Sequence, residues 1–209
     1  MSLVKPESTV ERRDQILRAA MTCFAQCGFH QTSMQDISEE AGISVGLIYR
    51  YFPSKEAVIA AMTDEHKREI VGVLERARLA PTLLEALEII FTAHCCEEGP
   101  QIRSAFVVDL FAEAGRNPAI ATLVRSVLET LQNGVTELVA QAPEFHGMPH
   151  GLRPEQISEL IFAAARGMMM RDVLDGGNRD DADRRDREIT VVRNLWCLLF
   201  NHANEPASA

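Results

Sequence analysis

Residues 32–55, TSMQDISEEAGISVGLIYRYFPSK, predict two short helices joined by a turn that contains a glycine. Ser33 can act as the N-cap of a first helix over Met34–Ala41, and Gly42 can take the left-handed conformation that ends it. A second serine precedes the next helix, Val45–Phe52, which a Pro-Ser pair ends. A helix this short is not stable alone. The layout is typical of a helix-turn-helix, which presents its second helix to the major groove of DNA.

The apolar positions of these two helices predict which side of each is buried. We expect the helices to meet through five apolar residues: Ile37 and Ala41 in the first, with Leu47, Ile48 and Phe52 in the second. With those residues buried, four residues of the second helix face outward: Val45, Gly46, Arg50 and Tyr51.

The rest of the chain also predicts helices, so the expected fold class is all-α. Glycine and proline number 12 and 9 among 209 residues, and they separate long stretches with helical apolar periodicity. Ser8–Glu11 is typical of a capping box that opens a helix running to Cys27, with Gly28 as its end. The inner stripe of this helix comprises Ile16, Ala20, Phe24 and Cys27. We expect this helix and the next two to form a three-helix lobe over residues 8–53.

A long helix over Ser54–Leu79 is predicted to connect this lobe, through residues 54–80, to a larger helical bundle domain over residues 81–209. Five helices are expected in that domain, about nine in all: Thr82–Glu97, Gln101–Ala114, Pro118–Ala140, Pro154–Asp175 and Asp183–Asn201. The last two are apolar around most of their circumference, so they must be covered on several sides. We therefore expect them to pair with a second copy of the chain at a two-fold axis.

The formal net charge of −9 is unevenly distributed along the chain. Residues 1–55 contain six Lys or Arg and six Asp or Glu, so the whole excess of acid lies in residues 56–209. An acidic C-terminal part would be repelled by a polyanion, which orients the N-terminal lobe toward it. Because that lobe is neutral rather than basic, we expect few phosphate contacts and a modest dependence of DNA binding on salt.

Several classes of protein are not supported by the sequence. No apolar run approaches the roughly 18 residues of a membrane span, and the start of the chain does not read as a signal peptide. Five cysteines without a disulfide-framework spacing fit a reducing cytosol, which predicts a cytoplasmic protein. No catalytic constellation, phosphate loop, metal-ligand spacing or dinucleotide fingerprint is evident, so we expect no enzyme activity, no metal and no cofactor.

The segment from Ile16 to Ala61 resembles the N-terminal DNA-binding domain of the TetR family of transcriptional regulators. The matching positions are Phe24…Gly28…Thr32, then Ile37…Ala41-Gly42-Ile43-Ser44, then Gly46…Tyr49-Arg50-Tyr51-Phe52…Ser54-Lys55-Glu56. The resemblance implies a nine-helix homodimer that binds a palindromic operator, usually as a repressor. It also implies that a small molecule in the C-terminal domain releases the DNA.

The same resemblance implies roles for individual residues of the lobe. Three match positions that usually touch phosphates: Thr32, Tyr49 and Lys55. Six match positions that face base edges: Gln35, Val45, Gly46, Leu47, Arg50 and Tyr51. Since three of these six offer no side-chain hydrogen bond, direct readout falls on Gln35 and Arg50, aided by apolar contact with thymine methyl groups.

The effector and the dimer partner are expected at the C-terminal helices. Candidates for the effector cavity combine apolar side chains with a few polar groups: Phe91, His94, Phe106, Phe162, Arg166 and Met169. The same residues can equally be core and interface. The apolar balance favours a lipophilic or aromatic effector, and the partner of Arg166 is Glu159, Glu113 or an acidic effector. The predicted dimer interface comprises Ile157, Leu160, Ile161, Ala164, Met168, Val192, Leu195, Trp196 and Leu199.

Two other functions stay open at this point. Cys23 and Cys27 lie one helical turn apart, and His94-Cys95-Cys96 follows later in the chain. Such residues could serve a redox- or metal-responsive regulator with the same DNA-binding lobe, although their spacing matches no standard zinc pattern. A helical dimer whose lobe no longer engages DNA is the second alternative.

Overall fold

The computed structural model describes residues 9–95, 100–143, 145, 151–174, 189–191 and 193–197. Within them the chain forms eight helices: α1 Thr9–Gln31, α2 Met34–Ala41, α3 Val45–Tyr51, α4 Lys55–Ala77, α5 Leu83–Cys95, α6 Pro100–Ala114, α7 Pro118–Gln141 and α8 Pro154–Leu174. Residues 189–191 and 193–197 are helical as well, and no described residue lies in a strand. The prediction of an all-α fold is therefore confirmed. Of the described helices, none combines the length and apolar composition that crossing a membrane requires.

Most predicted helices agree with the observed ones to within a few residues. α2 has the predicted bounds, and α3 ends one residue early because Phe52 is its C-cap. Gly28 interrupts α1 as predicted, with φ 78° and ψ 158°, but helical structure resumes after it and continues to Gln31. The predicted last helix, Asp183–Asn201, lies partly outside the described residues.

The helices form two compact units. Unit 1 comprises the described residues of Met1–His66 together with Ala105–Val127. Its core contains the side chains predicted to join the helices of the lobe except Leu47, which is only half-buried. The core also takes residues from α6 and α7, and its members include Ile16, Ala20, Phe24, Ile37, Ile48, Phe52, Phe106, Leu110 and Ile120. The contribution of α6 and α7 to this core was not predicted.

The inner stripe predicted for α1 is correct except at its last position. Ile16, Ala20 and Phe24 are buried, whereas Cys27 is exposed and Cys23 is buried instead. Cys27 directly precedes the break at Gly28, where the chain leaves helical geometry. The helical periodicity that predicted its burial therefore ends at this residue. Burial raises the pKa of the Cys23 thiol, which therefore stays protonated as a small core side chain.

Unit 2 comprises the described residues of Lys67–Ser104 and Leu128–Ala209. A Cβ atom at Gly134 in α7 would overlap the side chain of Leu74 in α4, so these two helices pack in close contact there. The Arg78 guanidinium lies 2.8 Å from the Glu137 carboxylate beside this contact. The core of unit 2 also includes Ile70, Val73, Leu87, Val135, Val139, Ile157, Phe162 and Trp196.

Candidate nucleic-acid interface

Caps at both ends fix the position of α2. Ser33 and Asp36 form a capping box, in which the Ser33 hydroxyl accepts from the Asp36 N–H at 3.1 Å and the Asp36 carboxylate accepts from the Ser33 N–H at 2.7 Å. These hydrogen bonds hold the pKa of the Asp36 carboxyl below its usual value. At the other end Gly42, with φ 65°, donates its N–H to the carbonyls of Ser38 and Glu39.

The second helix, α3, is held by its own caps and by contacts to α1. The Ser44 hydroxyl accepts from the Leu47 N–H at 3.3 Å, and Phe52 donates its N–H to the Ile48 carbonyl at 2.8 Å. The Arg13 guanidinium lies 4.8 Å from the centre of the Phe52 ring. Because Ile48 and Phe52 are almost wholly buried, α3 can rotate little about its axis.

The turn between α2 and α3 is also tied to α1. The Gln15 side-chain amide donates to the carbonyl of Ala41, the last residue of α2, at 2.7 Å, and Arg12 donates to Gln15 in turn. These ties were not predicted, since no motif marks them. Their only signal in the sequence is a polar residue next to the inner stripe of α1.

The outward side of α3 exposes Gly46, Tyr49 and Arg50, which we call the reading face. Tyr49 is 51% exposed. A Cβ atom at Gly46 would meet nothing within 4 Å, so packing inside the unit does not require a glycine there, and a flat surface could approach the backbone closely. Among the described residues, none forms an ion pair with Arg50, so its guanidinium is available to a ligand.

The other predicted base-facing residues differ in exposure. Gln35 is exposed, and its amide donates to the Glu39 carboxylate at 2.9 Å, which leaves its carbonyl oxygen and one N–H for a base. Val45, Leu47 and Tyr51 are half-buried, and Val45 and Tyr51 pack against the core of unit 1. These three contribute partial surfaces at the margin of the reading face.

Two of the three residues predicted to contact phosphates have side chains that hydrogen-bond to backbone carbonyls. Thr32 is 2% exposed, and its hydroxyl donates to the carbonyls of Gly28 at 2.8 Å and Cys23 at 3.2 Å. The Lys55 ammonium donates to the Phe29 carbonyl at 2.7 Å and to the His30 carbonyl at 3.3 Å. Both side chains thus satisfy backbone carbonyls near the end of α1, whereas Tyr49 is exposed at the surface.

The predicted effector residues are divided between the two units. Phe106 belongs to the core of unit 1, where its ring stacks on Phe24 with the centroids 5.7 Å apart. Phe91, Phe162 and Met169 belong to unit 2 and are half-buried or buried, whereas Arg166 is exposed. The Glu113 partner considered for Arg166 is instead 3.4 Å from Arg116. The side chain of His94 lies outside the description.

The predicted dimer-interface residues on α8 differ in exposure, and Leu160 is the exposed one among them. Ile157 is fully buried within unit 2, and Ile161, Ala164 and Met168 are half-buried. The exposed apolar side lies roughly a third of a turn away, at 100° per residue. We call it the α8 seam, and it comprises Leu160, Ala163, Gly167, Met170 and Leu174. Because the apolar residues surround α8, its sequence alone does not indicate which of them are exposed in a single chain.

The last predicted interface residues follow α8 in the chain. Trp196 is buried within unit 2, and Leu195 is half-buried. Val192 and Leu199 lie outside the described residues. Arg193 joins this segment to α5, since its guanidinium lies 2.6 Å from the Glu88 carboxylate.

Known proteins are similar to this chain in sequence and in fold. Residues 16–62 match the family model described as bacterial regulatory proteins, tetR family. The chain is similar to the HTH-type transcriptional regulator UidR of Escherichia coli strain K12, with 29% identity over 192 residues that cover 90% of each chain. Its fold is similar to that of Salmonella enterica GusR, with a TM-score of 0.74, 26% identity, and coverage of 95% of this chain and 100% of that chain.

A third comparison concerns the fold alone. The transcriptional regulator FadR from Bacillus subtilis, in complex with stearoyl-CoA, superimposes with a TM-score of 0.73 at 19% identity, covering 91% of this chain and 99% of that chain. The capped helix-turn-helix and these likenesses define a DNA-binding transcriptional regulator of the helix-turn-helix class. Within that class, the match over residues 16–62 shows that this segment is a DNA-binding domain of the TetR family. The rest of the chain is similar to regulators that carry the same kind of domain.

Proposed function

We propose that this regulator binds a palindromic operator as a homodimer, represses transcription there, and is released by a small-molecule effector. The observation that carries the proposal is the reading face of α3, where an unpaired guanidinium stands beside an open glycine. Arginine is suited to bidentate recognition of guanine, and a bare backbone permits close approach to the groove. Arg50 is the principal reader in this proposal, with Gln35 as the second.

The α8 seam supports the homodimer. Its residues are spaced by three, four, three and four positions, which is the spacing of a two-helix contact. Leu160 is 44% exposed and Leu174 is 78% exposed, and large apolar side chains exposed in a row mark an interaction surface. The small residues Ala163 and Gly167 between them allow a second helix to approach closely. A copy of the same chain presents the same seam, which suits a two-fold contact.

Charged residues border the seam. Glu159 and Arg166 lie on one side of it and Arg171 on the other, at the positions that flank a two-helix contact. In this arrangement Arg166 faces the edge of the dimer interface, so an acidic effector is not needed to account for it. Its exposure in a single chain is then explained, because the compensating carboxylate belongs to the partner.

The effector is assigned to residues 81–209, with residues 8–53 as the DNA-binding domain and residues 54–80 as the connection. The apolar composition of α5 to α8 favours a lipophilic or aromatic molecule. FadR, a protein of the same fold, is described in complex with stearoyl-CoA, so the fold itself is compatible with a bound small molecule. The effector would act by binding the DNA-competent and DNA-incompetent states with different affinities.

A redox- or metal-responsive regulator is not favoured by any observation on the described residues. Among them, no group of three or more His, Cys, Asp or Glu side chains could hold a metal ion. Cys23 is buried with a raised thiol pKa, so it is a poor thiolate source. We therefore propose no second function.

Selection from a random pool of duplex DNA tests the proposal. The wild-type protein is expected to enrich an inverted repeat whose half-site centres lie about 10 base pairs apart, or a multiple of that. Addition of candidate lipophilic compounds to the enriched duplex, followed by native gel shift, then identifies those that release it. Enrichment of no duplex at low salt would contradict DNA recognition by the reading face.

A further inference from the structure

The end of α1 contains a separate turn, residues 28–32, which we call the Gly28 turn. Gly28 has φ 78° and ψ 158°, a conformation that essentially only glycine adopts, and it interrupts the hydrogen bonding of α1. The Thr32 N–H then donates to the Gly28 carbonyl at 3.3 Å, which closes one helical turn. The Gly28 turn therefore has its own free N–H groups at its start and free carbonyls at its end.

Two side chains from other helices satisfy these groups. The Phe29 N–H donates to the Asp109 carboxylate of α6 at 2.5 Å. At the other end, the Lys55 ammonium of α4 donates to the carbonyls of Phe29 and His30. It also lies 4.6 Å from the centre of the Phe29 ring. A carboxylate thus stands at the positive end of the turn and a cation at the negative end, as the helix dipole favours.

The position of Asp109 is fixed by its neighbours in α6. Phe106 and Leu110 are buried in the core of unit 1, and Phe106 stacks on Phe24 of α1. A Cβ atom at Gly28 would lie 3.4 Å from both carboxylate oxygens of Asp109, so the backbone and the carboxylate are already in contact. The carboxylate therefore joins α6 to α1 at a short and well-defined distance.

The Gly28 turn leads directly into the helix-turn-helix. The Thr32 hydroxyl ties it to Cys23 of α1, and the next residue, Ser33, is the N-cap of α2. Only three residues separate the Phe29 N–H from that cap. A shift of the turn consequently shifts the start of α2, and α3 follows because its core residues Ile48 and Phe52 are buried against the same core.

We propose that Asp109 is a positioning residue for operator binding, which sets the orientation of the reading face by capping the Gly28 turn from α6. The inference rests on the proposed homodimer and inverted repeat. In such a dimer, a small reorientation of each reading face changes how two of them fit one duplex, whereas a single reading face still fits a single half-site. Loss of the cap is therefore expected to change the preferred spacing between the two half-sites, but not the bases that each reading face selects.

Binding by the full-length Asp109→Ala protein tests this role. The probes are the inverted repeat selected by the wild-type protein, a single half-site, and repeats with one base pair inserted or removed at the centre. We expect affinity for the inverted repeat to fall by about tenfold, as for loss of one hydrogen bond to a charged group. Affinity for the half-site is expected to stay within about twofold, and the preference among the three spacings to disappear.

Two further variants keep the test decisive. Asp109→Asn keeps an amide oxygen that can accept from Phe29, so an intermediate loss is expected even where Asp109→Ala folds poorly. Glu129→Ala removes an exposed acid of α7 that has no partner among the described residues, and it should bind like the wild type. Hydrogen exchange of the Phe29 amide provides a direct readout, and it should be faster in Asp109→Ala.

Three outcomes would overturn the inference. Asp109→Ala and Asp109→Asn could bind all probes like the wild type, or could lose affinity for half-site and inverted repeat in parallel. The first result would remove the positioning role, and the second would reduce Asp109 to general support of the fold. A wild-type protein that selects no inverted repeat would contradict the proposed function itself, and this inference with it.

Discussion

α3 and α8 each present one side to the surroundings, but the two sides have opposite chemistry. The reading face of α3 consists of a glycine, a tyrosine and an unpaired arginine, whereas the α8 seam consists of leucines, a methionine and small residues. α3 spans 7 residues and is held by caps and neighbours, while α8 spans 21 residues and has an inner side that is itself buried. A polar, fixed short helix suits recognition of a polyanion, and an apolar long helix suits association with its own copy.

The difference shows how the two surfaces depend on each other. One α3 contacts too few base pairs to select a site in a genome, so the proposed recognition requires two of them on one duplex. In the proposed homodimer, the α8 seam supplies the link that turns the second contact into an intramolecular one. Breaking either surface should therefore reduce operator binding, but only one of them should change the oligomeric state.

Charges placed in the α8 seam should have the largest effect. Leu160→Glu combined with Leu174→Glu is expected to convert the dimer to a monomer, because each buried leucine contributes about 1.5–3 kcal/mol. Operator affinity should then fall by about 100-fold or more, since the two reading faces are no longer linked. Sedimentation velocity and gel shift measure the two effects.

Leu79→Glu is the matched control for this prediction. Leu79 is 85% exposed and lies outside the seam, so the same change there should leave both mass and affinity unaltered. A double seam variant that remains dimeric at micromolar concentration would show that the copies meet elsewhere.

Substitution of Arg50 should have the next largest effect, and it should be confined to DNA. Arg50→Ala is expected to lose about 1–3 kcal/mol of discrimination between operator and unrelated duplex, with mass and thermal stability unchanged. Arg50→Lys keeps the charge but not the planar fork, so it should recover non-specific binding without the discrimination.

Arg125→Ala controls for the loss of one positive charge. Arg125 is an exposed arginine of α7 with no partner among the described residues. In competition gel shifts at fixed salt, Arg125→Ala should keep the preference for operator over unrelated duplex that Arg50→Ala loses. Equal behaviour of the two variants would remove Arg50 from base readout.

Removal of a cap should affect the short helix more than the long one. Ser44→Ala deletes the side-chain acceptor at the start of α3 and is expected to lower the free energy of unfolding by about 1 kcal/mol. Gln156→Ala deletes the acceptor for the Arg153 N–H at the start of α8, where packing along the helix should limit the change to a few tenths of a kcal/mol. Urea unfolding of both variants gives the comparison, and equal losses would argue against it.

The smallest expected effect is a pH dependence from the capping box of α2. The Asp36 pKa is lowered by its hydrogen bonds to Ser33, so its contribution to stability is present above its ordinary value of about 3.8. That contribution is lost as the pH falls through the lower pKa of the folded state. Asp36→Asn should therefore show a shallower loss of melting temperature on acidification than the wild type, which thermal unfolding at a series of pH values measures.

The sequence predicted α2 and α3 well because local signals determine them. The caps of these helices come from side chains and a glycine that the sequence shows directly: Ser33, Asp36, Gly42 and Ser44. Once the ends of α3 are set, burial of Ile48 determines which side of the helix faces the core. The family resemblance adds an expectation of which exposed positions face DNA, and that expectation stays a prediction. These are short-range features, so they can be recognised without knowing the rest of the fold.

The features that were missed depend on contacts between distant residues. Asp109 lies 80 positions from Phe29, and nothing near it in the sequence marks it as a cap. The hydrogen bonds from Thr32 and Lys55 to backbone carbonyls were not predicted either, because these carbonyls become available only through the break at Gly28. In α8 the apolar residues surround the helix, so only the tertiary packing of Ile157 and Phe162 determines which side remains exposed.

The number of chains on one operator duplex tests the central claim most directly. Native mass spectrometry of the wild-type protein on its selected inverted repeat should give two chains per duplex, and the double seam variant should give at most one on a half-site. A wild-type complex of one chain per duplex, with equal affinity for half-site and inverted repeat, would contradict the account.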